Sequence, residues 1–412
     1  MIWNFETILL CIVCFFGLYS SLFFLFLILD NKEKLDDPKP KRFPSVTVIV
    51  PAYNEERTIA KTLRSLLKLD YPRNKLKIFV VDDGSTDRTY EIAKRFENAH
   101  KGLVKVFKKQ NGGKASALNY GIKRTKSELI VSLDADSFVS RDALKRMVGY
   151  FDDPAVMAVT PALKVYKPKG FWRRIQAMEY LLGVFLRKAF ALLGSVHVTP
   201  GPFSAYRRKF FERYGYYDEG NLTEDIEVAL RIQAKGYDIE NSIKAEVFTV
   251  APNRFLPLLR QRLRWYTGFI VNLFRYRSLF KQKNNLGLFV LPTSLISILF
   301  ALSITFLTVK PLFSNFISFL DNIFLLGFKD SFFLLFHTLR LNLFYFGSIF
   351  TIVGVVGFSM GAAILWLSKK FSRDRTKLKW NYLIYSVFYI YIYGFWWTAV
   401  LVNFLLRRKI TW

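Results

Sequence analysis

Pairs of acidic residues follow two apolar, β-branched segments of this 412-residue chain. Asp82 and Asp83 come directly after one segment, and Asp134 and Asp136 follow another with one alanine between them. Acids that cap a helix after a strand are common, and that role suits Asp87. Helix capping does not explain why the carboxylates of Asp82, Asp83, Asp134 and Asp136 should gather at one edge of the sheet, where like charges repel. Because carboxylate oxygens suit Mg2+ or Mn2+, the Asp-x-Asp spacing predicts a metal site at Asp134 and Asp136.

A second acidic cluster is Thr223-Glu224-Asp225, which precedes a segment with helical spacing of apolar residues. Thr223 could cap that helix, while Glu224 and Asp225 merely complement the helix dipole. The alternative is that Asp225 is a general base, which removes a proton from an attacking hydroxyl group. The sequence leaves both interpretations open.

A third element, Gln261-Arg-Leu-Arg-Trp265, lies on a basic, amphipathic stretch. Arg260 and Arg275 in this stretch are expected to contact the phosphates of membrane lipids. Arg264 and Trp265 together indicate more specific chemistry. A guanidinium group can neutralise a leaving diphosphate, and an indole face can stack on a sugar ring.

Alternating apolar runs and helical patterns must position these residues. The alternation predicts an α/β fold with a mostly parallel sheet covered by helices on both faces. Ligands of such sheets bind beyond the carboxyl ends of the strands, which is where the acids are found. The predicted strands are Ser45–Val50, Ile78–Val81, Val104–Phe107 and Leu129–Leu133, and the predicted helices are Glu56–Leu67, Asp87–Phe96 and Lys114–Lys123.

The composition indicates a membrane protein, since hydrophobic residues make up 52% of the chain and the formal net charge is +28. Excess Lys and Arg are typical of cytoplasmic parts of membrane proteins. Nucleic-acid binding is disfavoured, because the positive charges are scattered and no nucleic-acid module is recognisable. The apolar stretch Pro311–Thr338 carries four polar interruptions and could be interfacial, re-entrant or a further span. The predicted spans are Phe5–Leu29, Leu286–Val309, Leu341–Leu367 and Tyr382–Leu406.

These segments divide the chain into four parts. We expect an N-terminal transmembrane helix in residues 1–36, a cytoplasmic catalytic domain in 37–250, amphipathic interface helices in 251–285 and a C-terminal region of about three spans in 286–412. The basic residues between the last two spans support this orientation, whereas the basic residues 407–409 would lie on the opposite side. The number of spans therefore stays open at this point.

The order of the motifs resembles a known family. The segments PAYNEE, DDGSTD, NGGKASALNYG, DAD, TED and QRLRW occur in sequence between residues 51 and 265. This combination is similar to that of the processive family-2 glycosyltransferases, which include poly-N-acetylglucosamine, hyaluronan, chitin and cellulose synthases. The resemblance implies a GT-A glycosyltransferase domain attached to helical membrane spans. It also implies an amphipathic helix near Phe171–Phe190, with Trp172 and Tyr180 at the membrane interface.

The resemblance also implies roles for individual residues. Tyr53 would lie against a uracil base, Lys114 would approach the diphosphate or ribose, and Asp225 would be the catalytic base. The full implied set is Asp225 and Glu224 for catalysis; Ala52, Tyr53, Glu55, Asp82, Asp83, Lys114, Asp134 and Arg264 for the nucleotide-sugar; Gln261 and Trp265 for the acceptor; and Asp136 with Asp134 for Mg2+ or Mn2+.

The expected function is inverting transfer of a sugar from a UDP-sugar, with UDP-N-acetylglucosamine as first choice, to a growing polysaccharide that the spans help to export. The alternative is a single transfer to a membrane lipid, either a polyprenyl phosphate or diacylglycerol. A non-enzymatic membrane scaffold is a third class, which would not need every acid of these motifs. The expected partners are the donor, a glycan or lipid acceptor and membrane lipids, with accessory subunits unspecified. The expected location is the cell membrane.

Overall fold

The computed structural model describes residues 5–338 and 349–406 of the chain. Eight strands form one sheet in the order β3-β2-β1-β4-β7-β6-β8-β5. The predicted mostly parallel α/β architecture is thereby confirmed for the first half of the soluble part. The strands are β1 (Val46–Ala52), β2 (Leu76–Asp82), β3 (Val104–Lys108), β4 (Leu129–Ser132), β5 (Ser137–Val139), β6 (Val156–Val165), β7 (Ala205–Arg207) and β8 (Asp238–Thr249).

The strands β3, β2, β1 and β4 run parallel. All seven residues of β1 are buried, as expected for a strand covered on both faces. Val48 and Val50 pack in the core on one face, while Ile49 packs on the other face against the helix that begins at Lys114. Ala52 pairs with Asp82, so the carboxyl ends of β1 and β2 lie side by side.

Twelve helices accompany the sheet within the residues that the structure describes. The helices α2, α3 and α4 each lie within three residues of their predicted starts and ends. The helices are α1 (Phe5–Asp30), α2 (Ile59–Leu67), α3 (Thr89–Ala99), α4 (Lys114–Ile122), α5 (Ala143–Val148), α6 (Phe171–Leu192), α7 (Arg208–Tyr214), α8 (Glu224–Ala234), α9 (Phe255–Arg275), α10 (Leu291–Thr338), α11 (Ile349–Phe371) and α12 (Lys379–Leu405).

Four helical segments are long and apolar enough to cross a membrane, and they correspond to α1, α10, α11 and α12. The helix α10 continues past the predicted end of the second span at Val309, through Pro311 to Thr338. Proline is tolerated in apolar helices when neighbouring groups satisfy the freed carbonyl. Gly327 has a φ of 79° and breaks α10 into two helical pieces. Residues 341–348 of the predicted third span and the basic residues 407–409 lie outside the described residues.

The amphipathic helix α6 joins the sheet to the membrane helices. It spans the segment that the resemblance implied; Tyr180 lines a cavity between the sheet and the membrane helices, and Trp172 packs against the Phe255 ring of α9. Ser368 of α11 donates a hydrogen bond of 2.6 Å to the carbonyl of Leu181. The helix α6 contacts both the sheet and the membrane helices, and it therefore connects the two parts of the chain.

Lys164 of β6 makes a second connection between the sheet and the spans. Its buried ammonium group lies 2.6 Å from Glu246 of β8 and donates a hydrogen bond of 2.5 Å to the carbonyl of Ser372. Asp374, in the same segment after α11, lies 3.7 Å away. The buried ammonium group of Lys164 thus holds the segment between the last two spans against the carboxyl end of β6.

Candidate active site

The loops after β1 and β2 are tied together and leave one aromatic ring exposed. Asn54 adopts a left-handed backbone with a φ of 54°, and its side-chain oxygen accepts hydrogen bonds from the backbone and hydroxyl of Thr86. Asparagine is one of the residues that tolerate this conformation. The turn fixes the backbone next to Tyr53, whose side chain is half exposed at the mouth of the cavity. That ring is free to stack on a planar ligand.

Asp82 and Asp83 differ in what they face. The Asp82 side chain is fully buried, accepts a hydrogen bond from the backbone of Ser85 and is not among the residues that line the cavity. Asp83 lines the cavity, forms an ion pair of 2.6 Å with Lys109 and accepts backbone hydrogen bonds from Gly112 and Gly113. Asp83 thereby holds the glycine-rich loop that leads into α4.

The Asp-x-Asp turn brings three carboxylates together. Asp134 and Asp136 line the cavity with Glu55, which follows β1. Burial, followed by the nearby charges of Asp134 and Glu55, raises the pKa of Asp136 to about 7. Burial and then Asp134 also raise the pKa of Glu55. Such mutual repulsion in a buried site favours a bound cation.

Lys114 lies between Asp134, a candidate metal ligand, and Glu224 of the second acidic cluster. Its ammonium group lies 2.6 Å from Asp134 and 3.3 Å from Glu224. Burial lowers the pKa of Lys114, but Asp134, Glu224 and Asp225 outweigh burial and keep this pKa above its ordinary value. A Cβ atom at Gly201 would lie 2.5 Å from the ammonium, so the absence of a side chain there leaves room for Lys114.

Asp225 lies in the first turn of α8. Burial and then Glu224 raise its pKa, Lys114 and Arg264 oppose the increase, and the resulting pKa is about 6. Thr223 occupies the N-cap position of α8, but its side chain makes no capping hydrogen bond. The Thr223 hydroxyl instead accepts a hydrogen bond of 3.0 Å from Asn272 of α9. This contact holds α8 against α9.

The helix α9 places the third element over the same cavity. Gln261, Arg264 and Trp265 all line it, and the buried side-chain oxygen of Gln261 has no hydrogen-bond partner within the described residues. Arg262 points the other way, is almost fully buried and forms an ion pair of 2.7 Å with Glu179 of α6. Its guanidinium lies 4.4 Å from the ring of Trp265, which it therefore helps to hold.

Arg275, at the end of α9, forms an ion pair with Asp218. Its side chain is still about half exposed, so the contact with lipid phosphates that the sequence predicted stays a prediction.

These elements enclose a cavity of about 1130 Å³. The volume exceeds that of most small-molecule pockets, which hold about 300–1,000 Å³. Every residue that the sequence assigned to the site lines this cavity except Asp82. The residues in question are Ala52, Tyr53, Glu55, Asp83, Lys114, Asp134, Asp136, Glu224, Asp225, Gln261, Arg264 and Trp265.

The sequence did not reveal the membrane side of the cavity. Arg187 of α6 lines it, as do Tyr389, Tyr393 and Trp397 of α12. The three aromatic residues recur every four positions, so they share one face of α12. That spacing was a readable signal, but only the fold shows that this face meets the Asp225 cavity.

The residues present fit a divalent metal ion that shares its ligands with a substrate. Among residues 5–338 and 349–406, no group of three or more His, Cys, Asp or Glu side chains is arranged to hold an ion alone. Asp134 and Asp136 nevertheless both line the cavity, and the raised pKa of Asp136, due to burial and to Asp134 and Glu55, is consistent with a site that a cation would stabilise. Ions of the Mg2+ type are commonly held by one or two carboxylates together with substrate phosphates.

Comparison with known proteins agrees with the motifs. The model of the family described as "Glycosyl transferase family 2" matches residues 47–215. A poly-beta-1,6-N-acetyl-D-glucosamine synthase of Staphylococcus aureus is 31% identical over 273 residues, which cover 64% of this chain and 65% of the synthase. The synthase of the same name from Staphylococcus epidermidis is 31% identical over 241 residues, 58% of each chain. The chain therefore matches less than two thirds of the length of either relative, 65% of the first and 58% of the second.

A solved structure resembles the whole chain. It is a mannosyltransferase from Pyrobaculum calidifontis in complex with GDP-mannose and Mn2+, with a TM-score of 0.58 and 22% identity. The match covers 97% of this chain and 100% of that one. At this identity the likeness establishes the shared fold, which includes the GT-A-like sheet.

Proposed function

We propose that this chain, which contains a glycosyl transferase family 2 domain at residues 47–215, is a membrane-integrated inverting synthase of a polysaccharide. One observation carries the proposal. The carboxylate of Asp225 shares a cavity with the cations Lys114 and Arg264 and with the acceptor-type residues Gln261 and Trp265. A base, a stabilised leaving group and a sugar-stacking surface are the parts that such a displacement requires.

The donor is a UDP-sugar, and UDP-N-acetylglucosamine is the first choice. The exposed ring of Tyr53 is suited to stacking on uracil, with Glu55 and Asp83 beside it. Lys114 lies deeper, where a diphosphate would follow the nucleoside. The curated relatives are named poly-beta-1,6-N-acetyl-D-glucosamine synthases, and this favours N-acetylglucosamine over other sugars.

Asp134 and Asp136 would hold the Mg2+ or Mn2+ ion. When bound, such an ion supplies charge stabilisation to the departing nucleoside diphosphate. Arg264 and Lys114 supplement that stabilisation with hydrogen bonds to phosphate oxygens.

Asp225 removes the proton from the acceptor hydroxyl group. The oxygen then attacks the anomeric carbon as the bond to the diphosphate breaks, which inverts the configuration. A base is most effective when its pKa lies near the working pH, and the pKa of about 6 meets that condition. Trp265 and the unpaired oxygen of Gln261 orient the acceptor sugar.

The membrane part supports polymer export. The catalytic domain lies in the cytoplasm, and the chain crosses the membrane with α1, α10, α11 and α12. Tyr389, Tyr393 and Trp397 present aromatic faces where the cavity meets α12, and these faces suit sugar rings of a lengthening chain.

A single transfer to a membrane lipid is the second candidate. The observation in its favour is the apolar wall of the cavity, which includes Phe24 of α1, Leu186 and Phe190 of α6, and Val290 just before α10. A lipid tail could lie on this wall while its polar end reaches Asp225.

The test is sugar transfer by the purified protein in lipid, with radiolabelled UDP- and GDP-sugars offered singly with Mn2+ or Mg2+. A ladder of long, solvent-insoluble product from a UDP-sugar, lost in Asp225→Asn, supports the synthase. One solvent-extractable band indicates the lipid transferase. Transfer that persists in Asp225→Asn refutes the assignment of the base.

A further inference from the structure

A cationic side chain outside the proposed reaction lines the cavity. Arg187 of α6 makes no ion pair and no hydrogen bond with any residue that the structure describes, and its buried Nε has no partner. Burial lowers the pKa of Arg187 to about 10, and no carboxylate contributes to this pKa. Buried guanidinium groups are normally paired, because removing the charge from water costs free energy. Arg187 is only partly exposed and lines the cavity, so its guanidinium is available to bind an anion there.

The surroundings of Arg187 are apolar. Its neighbours Leu186 and Phe190 line the same cavity, and Phe24 and Val290 contribute from the two adjoining elements. Phe24 packs edge-to-face against Phe190, with ring centroids 5.7 Å apart. Phe24 belongs to α1, which is apolar and long enough to span a membrane, so this wall adjoins the membrane part of the chain.

The position of Arg187 also separates it from the donor side. The acids that surround Lys114 do not influence the pKa of Arg187, whereas Tyr180, two helical turns earlier on α6, senses both Arg187 and Asp136. Seven residues of α-helix span about 10 Å. A group bound at Arg187 would thus lie beside the Asp136 region without occupying it.

We propose that Arg187 binds the phosphate of a membrane lipid, whose hydrocarbon chain lies against Phe24, Leu186, Phe190 and Val290 of the cavity. The shared chemistry is a phosphate group, and the apolar wall assigns it to a lipid rather than to free phosphate. The proposal goes beyond the proposed function, since it does not require this lipid to be the acceptor. It holds equally for a synthase with a resident lipid.

Binding is measured without a sugar donor, so the result is independent of the proposed function. Radiolabelled dioleoyl phosphatidic acid is titrated into the full-length protein in mixed micelles, with competitors added separately. We expect unlabelled phosphatidic acid to compete, and dioleoylglycerol with the same chains to compete about tenfold less well. Inorganic phosphate at the same concentration should not compete.

Variants test the role of the arginine. Arg187→Gln should weaken phosphatidic acid binding by about tenfold or more, because a charge-assisted hydrogen bond is lost. Arg187→Lys should retain most of the affinity. The matched control is Arg174→Gln, which removes an exposed arginine from the same helix and should change affinity by less than about twofold. Phosphatidic acid should raise the melting temperature of wild type and not that of Arg187→Gln.

Three results would overturn the proposal. Equal competition by dioleoylglycerol would show that the phosphate is not recognised, and equal competition by inorganic phosphate would show that the lipid chain is not. Displacement of the lipid by UDP with Mn2+ would assign Arg187 to the donor site. If Arg187→Gln does not fold, these wild-type competitions still decide the question.

Discussion

Gly268 determines how closely α9 approaches the start of α8. A Cβ atom at this position would lie 2.5 Å from Cγ2 and 2.9 Å from Cβ of Thr223, and closer still to its Oγ1. Ordinary contact begins at 3.4 Å, so Gly268→Ala requires Thr223 and α9 to separate by about 1 Å. Thr223 cannot easily rotate away, because it is buried, branched at Cβ and hydrogen-bonded to Asn272.

The separation has a predictable effect on transfer. Arg264 and Trp265 move with α9, whereas Asp225 belongs to α8, so the proposed base is displaced from the groups it works with. A misplacement of about 1 Å can cost about 100-fold in rate. We expect Gly268→Ala to lower kcat by about 100-fold with little change in the donor KM. Overpacking should also destabilise the fold by about 1–3 kcal/mol.

The assay is steady-state transfer with the best donor, together with thermal unfolding of each variant. Gly354→Ala in α11 is the matched control, since a Cβ there would have no atom within 4 Å. Adding Thr223→Ala to Gly268→Ala removes the two closest atoms and should recover about tenfold in kcat. Activity of Gly268→Ala within about threefold of wild type would refute the reasoning.

Three further predictions concern charge. Asp225 must be ionised to act, and its raised pKa of about 6 means that kcat/KM should rise with pH through that value; a rate that is flat from pH 5 to 8 would contradict this. Chelation with EDTA should abolish transfer, and Mn2+ should restore it. Asp136→Asn should raise the Mn2+ concentration for half-maximal rate by about tenfold or more. An unchanged Mn2+ concentration would exclude Asp136 as a metal ligand. Lys109→Met leaves Asp83 without its cation, so the donor KM should rise by about tenfold with kcat nearly constant. The control Lys101→Met, at an exposed turn, should change neither value. Initial rates measured over a range of donor concentrations test both variants.

The sequence was sufficient for elements whose signal is local. The runs around Val48 and Ile78 are apolar and β-branched because both faces of their strands are buried, so the strands could be recognised without a structure. Acids that follow parallel strands lie at the same edge of the sheet, so Asp83 and Asp136 were expected close together. In the structure both line the same cavity.

The remaining differences come from contacts distant in sequence. Asp82 and Asp83 are adjacent and identical, and only the fold decides that Asp82 turns into the core. The sequence left a capping role for Thr223 open, whereas in the structure its hydroxyl accepts a hydrogen bond from Asn272, 49 residues later, and makes no capping bond. The four polar interruptions of Pro311–Thr338 left its arrangement open, and only the structure shows that this stretch continues α10. In the sequence, Arg187 is one of several basic residues of an amphipathic helix. Only the structure shows that its buried Nε has no hydrogen-bond partner among the described residues.

The buried ion cluster at Lys164 limits how this enzyme can be dissected. The family match ends at residue 215, and a fragment cut there would lose Glu246, Ser372 and Asp374 together. The ammonium of Lys164 would then be left uncompensated in the interior, a loss that typically costs about 3–5 kcal/mol. The catalytic half is consequently not a detachable module, and recombination with the spans of another relative would have to replace the segment after α11 as well.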